Sequence, residues 1–297
     1  NHILLLAFIS MIIYGIGFDL FDIAAFTSIY DNSLEKNRSS NLSLRDIFEN
    51  IGVIIGVILS GVLVYVSSNL LSFIIVLFFS ISIIISSKYK NKVLKKNKKK
   101  IFNEFICDIK KIGFSKGLFS LILIGLISFW NGLFFAFEPL FIQNFQNEYI
   151  NSTILGGLLL AVYILPTLLF EYFFGKLEDK LGRKNFAIIG LLIATICIFW
   201  LSRIENIISL FICIFFISTG IMAISNPAIN GIYEKFAVEK LGRKNDGDSV
   251  SFFELFSNFG YILGPLVGGI LIEKMGFFTS FNIIGFVFAI FVVLSIF

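Results

Sequence analysis

The chain of 297 residues is 57% hydrophobic and only 15% charged, whereas a typical soluble domain carries about 25% charged residues. Several stretches run for at least 18 residues with almost no charge, which is long enough to cross a hydrocarbon core of about 30 Å as a helix. Outer-membrane barrels instead alternate apolar and polar residues along short strands. The composition therefore predicts an all-α polytopic membrane protein and excludes a soluble globule.

The few chemically reactive side chains argue against an enzyme. The chain has one histidine, His2, and its three cysteines, Cys107, Cys197 and Cys213, show no paired spacing. Histidine-based acid–base catalysis and metal binding therefore have almost nothing to work with. No P-loop or hydrolase motif occurs. We expect no cofactor, no metal site and no ATP hydrolysis.

Nine apolar spans follow one another along the chain. They cover residues 3–29, 44–66, 69–87, 117–143, 152–175, 185–202, 206–234, 248–273 and 277–297. The first span begins almost at Asn1, and the last still includes Phe297. We therefore expect this chain to be a fragment of a longer membrane protein.

The basic residues predict the orientation of the spans. If the spans cross the membrane alternately, all but two of the 24 Lys and Arg residues fall on one side, the exceptions being Arg203 and Lys274. Lys and Arg accumulate in cytoplasmic loops. The first span therefore runs from the outside to the cytoplasm of a cell membrane. This bias accounts for the net charge of +4, so no nucleic-acid partner is needed.

A Lys-rich segment divides the chain into two membrane regions. Residues 88–116 carry eleven lysines, and they separate a membrane region at 1–87 from one at 117–297. From Ile101 to Ile112 apolar residues recur at helical spacing, which is typical of an amphipathic helix on the inner membrane surface. A solvated linker helix without lipid contact is the alternative.

The chain repeats itself at an offset of 208 residues. The spacing Asn-x-Gly-x-x-x-Gly occurs twice in this register, at Asn50, Gly52 and Gly56 and at Asn258, Gly260 and Gly264. The first three spans therefore correspond to the last three, in the same membrane orientation, as in a parallel repeat. The middle three spans have no counterpart in this chain. The repeat predicts an intact protein of six plus six spans, of which this chain holds spans four to twelve.

A loop after the fifth span carries a signature of glycines and charges. It consists of Gly175, Leu177, Asp179, Gly182, Arg183 and Lys184. This pattern, G-x-L-x-D-x-x-G-R-K, resembles the cytoplasmic loop signature of the major facilitator superfamily. The resemblance implies two pseudo-symmetric six-helix bundles, the first three helices being missing here, and secondary transport by alternating access.

The signature loop is a candidate cytoplasmic gate. Gly175 and Gly182 allow sharp turns between two helices. By resemblance, Asp179 lies near a positive helix N-terminus, where a carboxylate is favoured, and holds the two halves closed. Arg183 then needs an acidic partner, for which Glu234 is the candidate. The alternative is a loop that serves only to orient the chain, with incidental ion pairs.

The eighth span carries a stripe of small residues around a proline. The stripe consists of Gly260, Gly264, Pro265, Gly268 and Gly269. Glycine at every fourth position lets another helix backbone approach closely, and a mid-helix proline bends the helix. The stripe resembles the antiporter motif of drug/proton exchangers, which belongs to an earlier span. Tight packing with a rocking hinge is the alternative, and Gly52 and Gly56 repeat the stripe without proline.

The residues at mid-depth predict what a cavity could bind. By resemblance, spans one, four, seven and ten of the intact protein line the cavity. Spans four, seven and ten are present in this chain. The residues about ten positions into these spans are Tyr14, Trp130, Asn131, Ser218 and Thr219. This aromatic and hydroxylic set suits an amphiphilic or mostly apolar solute. Trp130 could equally face lipid or pack inside the bundle.

Four acidic residues within the spans are functional candidates because intramembrane acids are costly. Asp19 and Asp22 lie near the cytoplasmic interface, where an inner-gate role is favoured over proton carriage. Glu138 lies near the outer end of its span and Glu171 near the inner end of the next. We expect both to reach water.

The leading functional hypothesis is a secondary active transporter of a small solute. Because no residue set for ATP use is present, the energy is expected to come from an ion or solute gradient. Efflux of drugs or hydrophobic metabolites, coupled to protons, is the best interpretation. Uptake of a nutrient or metabolite by the same fold is the alternative, and a non-transporting membrane sensor is a more distant one. We expect a monomer in the lipid bilayer, with a small-molecule solute and protons as its partners.

Overall fold

The computed structural model describes residues 116–143, 152–241 and 246–296 continuously. Before them it describes residues 9, 13, 15–17, 20, 21, 24, 25, 28, 45, 47–56, 73–75, 77, 78, 80, 81 and 84. The chain divides into two compact units, Asn1–Val53 and Ile54–Phe297. In the first unit, Arg45 and Glu49 form an ion pair of 3.1 Å along one helical face. The second unit holds the continuous helices.

Six helices and one π-helical segment form the continuous part of the second unit. They are α1 (Lys116–Ile142), α2 (Ser152–Leu181), α3 (Arg183–Leu201), α4 (Ile207–Ser218), the π segment (Thr219–Ser225), α5 (Asn226–Leu241) and α6 (Asp246–Ile296). The π segment joins α4 and α5 without a break, so the three form one membrane-length unit, Ile207–Ala237. Pro227 is the second residue of α5, directly after the π segment, and it has no backbone N–H to donate to that segment.

Membrane-length apolar helices dominate this region. Among the described residues, four helices are long and apolar enough to cross a bilayer: Gly117–Ile142, Arg183–Leu201, Ile207–Ala237 and Val250–Ile296. A shorter apolar stretch, Leu155–Glu171, lies within α2. The prediction of an all-α polytopic membrane fold is confirmed. The division at residues 88–116 stays a prediction, since 85–115 lie outside the described residues.

The helix α6 is two spans joined at one glycine. Gly276 has φ 75° and ψ 169°, a conformation that favours glycine. The ring of Phe277 lies 5.2 Å from that of Phe141, near the end of α1, while Phe288 contacts Trp130, in its middle. The second half of α6 therefore runs back along α1. The predicted break between residues 273 and 277 is found at this position.

Glycines bring helix backbones unusually close at two interfaces. A Cβ atom at Gly260 would lie 2.2 Å from the Gly125 carbonyl oxygen, and one at Gly264 would lie 2.2 Å from that of Phe129. A Cβ at Gly220 would lie 2.5 Å from the Gly190 carbonyl oxygen. No side chain fits at these points. The first half of α6 is thus in backbone contact with α1, and the π segment is in backbone contact with α3.

The signature loop is shorter than its glycines suggested. The helix α2 continues through Gly175 to Leu181, and only Gly182, with φ 84°, breaks the helical path. The expectation of a sharp turn at Gly175 is therefore wrong. Residues 176–181 include no glycine or proline, so nothing in them stops a helix. A glycine in the left-handed conformation is a common helix end.

Candidate functional site

A hydrogen-bonded cluster lies in the middle of the bundle, centred on Asn131. The Tyr163 hydroxyl donates to the Asn131 side-chain oxygen at 2.5 Å. The Asn131 amide nitrogen lies 3.4 Å from the Met222 sulfur and 3.4 Å from the Tyr261 hydroxyl oxygen. These four side chains come from α1, α2, the π segment and α6. One carboxamide therefore links four membrane-spanning elements.

The other predicted cavity residues of this region surround the same cluster. The Ser218 hydroxyl donates to the Tyr163 carbonyl oxygen, whereas the Thr219 hydroxyl donates to the Phe215 carbonyl one turn earlier in its own helix. Trp130 packs edge-on against Phe288. Trp130, Asn131, Ser218 and Thr219 are all buried. A solute could reach them only after helices separate, and their role in solute binding stays a prediction.

Glu138 is buried, although we expected it to reach water. It lies one turn before the end of α1, and its residue exposure is 4%. Its Oε1 atom has no hydrogen-bond partner among the described residues. The carboxyl lies against Gly156 of α2, where a Cβ atom would be 2.8 Å from Oε1. Proximity to a helix end therefore did not give this side chain access to solvent.

Glu138 borders a small cavity with aromatic walls. The cavity has a volume of about 10 Å³, roughly the space that one water molecule needs. Its rings are those of Trp130, Phe134, Phe137, Phe141 and Phe281, and aliphatic side chains of α1, α2, α3 and α4 complete it. Among the described lining residues, only Glu138 is ionisable. The chemical feature that distinguishes this cavity is therefore a carboxyl group in apolar surroundings.

A polar contact at the opposite end of the bundle fastens the signature loop. Arg183 Nε lies 3.0 Å from Glu178 Oε1, and Nη1 donates to the Gly231 carbonyl at 2.7 Å. The prediction that Glu234 pairs with Arg183 is wrong, because the Glu234 side chain is exposed. Arg183 reaches α5 one turn earlier and binds the backbone there, because Gly231 has no side chain in the way. The Lys184 ammonium donates to the Ile296 carbonyl at 2.8 Å.

Some predicted residues lie outside the described residues. They are Tyr14, Asp19, Asp22 and the side chain of Asp179. At Gly52 and Gly56, an added Cβ atom would meet no described atom within 4 Å. At Gly268 it would lie 2.4 Å from Leu133 Cδ1, whereas at Gly269 it would make an ordinary contact of 3.7 Å with Phe137. The close approach to α1 therefore ends at Gly268.

Metal binding finds no support in the described part of the chain. Groups of three or more His, Cys, Asp or Glu side chains that could hold an ion are absent from it. Cys197 and Cys213 are buried, and the Cys213 thiol donates to the Cys197 carbonyl at 3.1 Å. These two cysteines therefore act as small core side chains between α3 and α4.

Sequence reasoning missed several members of these sites. Tyr163, Tyr261 and Met222 complete the Asn131 cluster, and Glu178 replaces Glu234 as the partner of Arg183. Glu178 lies inside the signature, at a position where the pattern accepts any residue. The tyrosines could have been found as polar groups at the mid-depth of neighbouring spans.

Comparison with known proteins agrees with this architecture. The sequence profile of the Major Facilitator Superfamily matches residues 1–243 and, in a second overlapping match, residues 134–297. The chain belongs to the major facilitator superfamily. As a member of this superfamily with several membrane-length helices, it is a multi-pass membrane protein.

Curated relatives match part of this chain, and two of them illustrate the extent of the similarity. The quinolone resistance protein NorA of Staphylococcus aureus is 30% identical over 119 residues, which are 39% of this chain and 29% of NorA. The uncharacterized transporter BU466 of Buchnera aphidicola is 27% identical over 130 residues, 44% of this chain and 32% of that protein. The matched part thus spans about three tenths of either relative.

Proposed function

We propose that this protein is a secondary transporter that exports a mostly apolar solute, and that Glu138 is the carboxyl at which a proton is taken up and released. The observation that carries the proposal is the position of Glu138, which is buried in a membrane-spanning helix beside an aromatic-walled cavity and has one oxygen without a hydrogen-bond partner among the described residues. A carrier that moves its solute by alternating access needs no catalytic group.

The surroundings of Glu138 limit what can bind there. An ionised carboxylate in apolar surroundings is costly unless a counter-charge or hydrogen-bond donors compensate it. Oε1 has no such donor among the described residues. Binding a proton, or the cationic group of a solute, removes the uncompensated charge. Either event changes the energy of the closed arrangement, which is what coupling of solute to protons requires.

The closed packing around this carboxyl supports alternating access. A cavity of about 10 Å³ cannot hold an organic solute, since typical ligand pockets measure about 300–1,000 Å³. We infer that solute enters when the helices around Glu138 separate. The close contact of α1 with the first half of α6 at Gly260 and Gly264 favours movement of these two as one body, with Pro265 as a hinge.

The signature loop is proposed as the cytoplasmic gate. Arg183 ties the end of α2 to α5, and Lys184 ties the start of α3 to the end of α6. These contacts would hold the cytoplasmic ends of the bundle together in the closed arrangement. Asp179 is proposed to add a contact with the other half. Transport that is unchanged in Asp179→Asn would contradict that role.

One curated relative supports export over uptake. It is named for quinolone resistance, which is consistent with removal of an aromatic drug from the cell. The aromatic rings around Glu138 would suit such a flat solute. We further propose that the protein works as a monomer in the cell membrane, with the Lys-rich segment 88–116 in the cytoplasm.

A dye-accumulation experiment tests the proposed function. The intact protein is expressed in a drug-sensitive bacterium that lacks its own efflux pumps, and accumulation of a lipophilic cationic dye is measured with and without a protonophore. We expect cells that express the protein to contain less dye, and we expect the protonophore to return their dye content to the level of cells without the protein. In Glu138→Gln, the dye content should not fall in the first place. Glu205→Gln is the matched control, because Glu205 is exposed at the same end of the bundle.

Other outcomes would change the proposal. Unchanged dye content with a well-expressed protein would favour uptake, or a narrow substrate, over drug export. Protonophore-sensitive export that persists in Glu138→Gln would leave export standing and remove Glu138 from the proton path.

A further inference from the structure

We propose that Gly156 is a positioning residue: its missing side chain forms the notch in α2 that holds the Glu138 carboxyl against the helix backbone. This inference rests on the proposed function, since it assigns Gly156 a role through the proton-binding acid. It predicts that a single methyl group on a neighbouring helix changes the pH at which that acid takes up a proton.

The geometry of the notch involves the whole carboxyl group. A Cβ atom at Gly156 would lie 2.8 Å from Oε1, 3.6 Å from Cδ and 3.7 Å from Oε2 of Glu138. The first distance is shorter than carbon–oxygen contacts allow, so an alanine methyl and Oε1 cannot occupy these positions together. One oxygen therefore lies in the space that a side chain would fill.

The other side of the carboxyl is apolar. Away from Gly156 the cavity offers phenyl rings, such as Phe137 and Phe141, and aliphatic groups. In the notch, Oε1 faces the α2 backbone at Gly156 with no side chain between them, and a peptide backbone is a more polar surrounding for a carboxylate than hydrocarbon is. Displacement from the notch thus moves the carboxyl into less polar surroundings, which favours the protonated form.

Glu138 is the one acid among the described residues that line its cavity, and the ionisable groups on the helices packed around it lie elsewhere. On α2, the Tyr163 hydroxyl is bonded to Asn131. On α3 and α4, the two thiols are buried core groups. Among the described residues, the charged side chains at this end of the bundle are Arg203, Glu205, Glu273 and Lys274, all exposed. Arg203 lies over the Phe278 ring, 6.0 Å from its centroid.

The test follows the proton on Glu138 directly. The intact protein is reconstituted in lipid vesicles and treated with dicyclohexylcarbodiimide, which reacts with protonated carboxyl groups in apolar surroundings. The extent of labelling at Glu138, measured by peptide mass spectrometry from pH 5 to pH 9, gives a midpoint. We expect Gly156→Ala to move this midpoint upward by about half a unit or more, a shift within the range that local surroundings produce.

A matched control separates this effect from general disturbance. Gly269→Ala adds a methyl group to the same bundle at an ordinary contact distance of 3.7 Å from Phe137, a ring of the same cavity. We expect the labelling midpoint of Glu138 to stay unchanged in this variant. Equal shifts in both variants would overturn the positioning role.

A shorter acid provides a rescue. Glu138→Asp withdraws the carboxyl by one methylene, about 1.5 Å, so it no longer needs the notch. In this background, we expect Gly156→Ala to change neither the labelling midpoint nor the thermal unfolding midpoint. If Gly156→Ala alone fails to fold, recovery of folding in the double variant supports the inference, and its continued failure overturns it.

The outcomes distinguish this inference from the proposed function. If labelling of Glu138 in the parent protein is independent of pH, the proton-binding role fails, and the stability coupling between positions 156 and 138 alone decides the positioning role. If the parent shows a pH midpoint that Gly156→Ala does not move, Gly156 has no positioning role and the proposed function stands.

Discussion

The two sides of α1 are packed in opposite ways. One side lies against the glycine stripe of α6, where Gly260 and Gly264 leave no room for a methyl group between the backbones. The other side carries Trp130, Phe134 and Glu138, which border a cavity, and Glu138 Oε1 has no hydrogen-bond partner within the described ranges. The same helix therefore has one surface with no spare space and one with both space and unsatisfied polarity.

This difference indicates on which side of α1 helices separate at the lower cost in free energy. Separating helices at the glycine side would expose peptide backbone that lies in direct contact, and it would lose all of the close van der Waals contacts there. Separating them at the Glu138 side loses fewer contacts, and it gives a buried acid the solvation or the ligand that it lacks. The predictions below test this contrast, from the largest expected effect to the smallest.

Filling the glycine side should be the most damaging change. In Gly264→Ala the new methyl group would lie 2.2 Å from the Phe129 carbonyl oxygen, and backbone cannot move aside cheaply. We expect a loss of about 2–3 kcal/mol in the free energy of unfolding, measured by reversible unfolding in mixed micelles followed by circular dichroism. Gly269→Ala is the control and should cost less than about 0.5 kcal/mol. Equal costs would contradict the contrast.

Removing the Glu138 carboxyl on the other side of α1 should raise the free energy of unfolding, not lower it. Glu138→Leu replaces a buried carboxyl, whose Oε1 has no hydrogen-bond partner among the described residues, with an apolar side chain of similar size in an apolar cavity. We expect a gain of about 1–2 kcal/mol in the free energy of unfolding, together with loss of proton-dependent transport. A loss of stability would indicate that the carboxyl stabilises the folded protein.

Removing one hydroxyl from the central cluster should have a smaller effect. Tyr163→Phe keeps the ring stacked on Phe134, at 4.2 Å between centroids, but it removes the donor to Asn131. We expect a loss of about 1 kcal/mol. The loss should disappear in the Asn131→Leu background, and its persistence there would assign the cost to something other than this hydrogen bond.

The smallest effect is expected at the signature loop. Gly231→Ala would place a methyl group 2.7 Å from the Arg183 guanidinium carbon, but a flexible, partly exposed side chain can move. We expect the bond to the Gly231 carbonyl to be lost at a cost of about 0.5–1 kcal/mol. In the Arg183→Ala background the same change should cost nothing. Equal costs in both backgrounds would show that Gly231 acts independently of Arg183.

Most of the fold could be predicted from local pattern. Most helices between residues 116 and 296 begin and end within a few residues of the predicted positions, because apolar length and glycines are local signals; α2 and α5 continue to Leu181 and Leu241, beyond the predicted ends at 175 and 234. Gly276 and Gly182 show this: both adopt positive φ at junctions between spans. The helical course of α2 beyond Gly175 was missed because one glycine does not end a helix whose following residues favour it.

The site depended on contacts between distant parts of the chain. Glu138 lies against a glycine of α2 and shares its cavity with the Phe281 ring of α6, and neither is visible from its own span. The partner of Arg183 was mistaken for a similar reason. A carboxyl at Glu234 looked well placed along the sequence, but the missing side chain at Gly231 brings the guanidinium to the backbone instead.

The single glycine at position 276 also bears on how this protein is made. Only one residue there departs from helical geometry, so the two halves of α6 have almost no loop between them and cannot reach far apart. They should leave the ribosome and enter the bilayer together as a helical hairpin, with neither half waiting for the other. Lengthening this junction would give the two halves the freedom to insert separately, and so to insert wrongly.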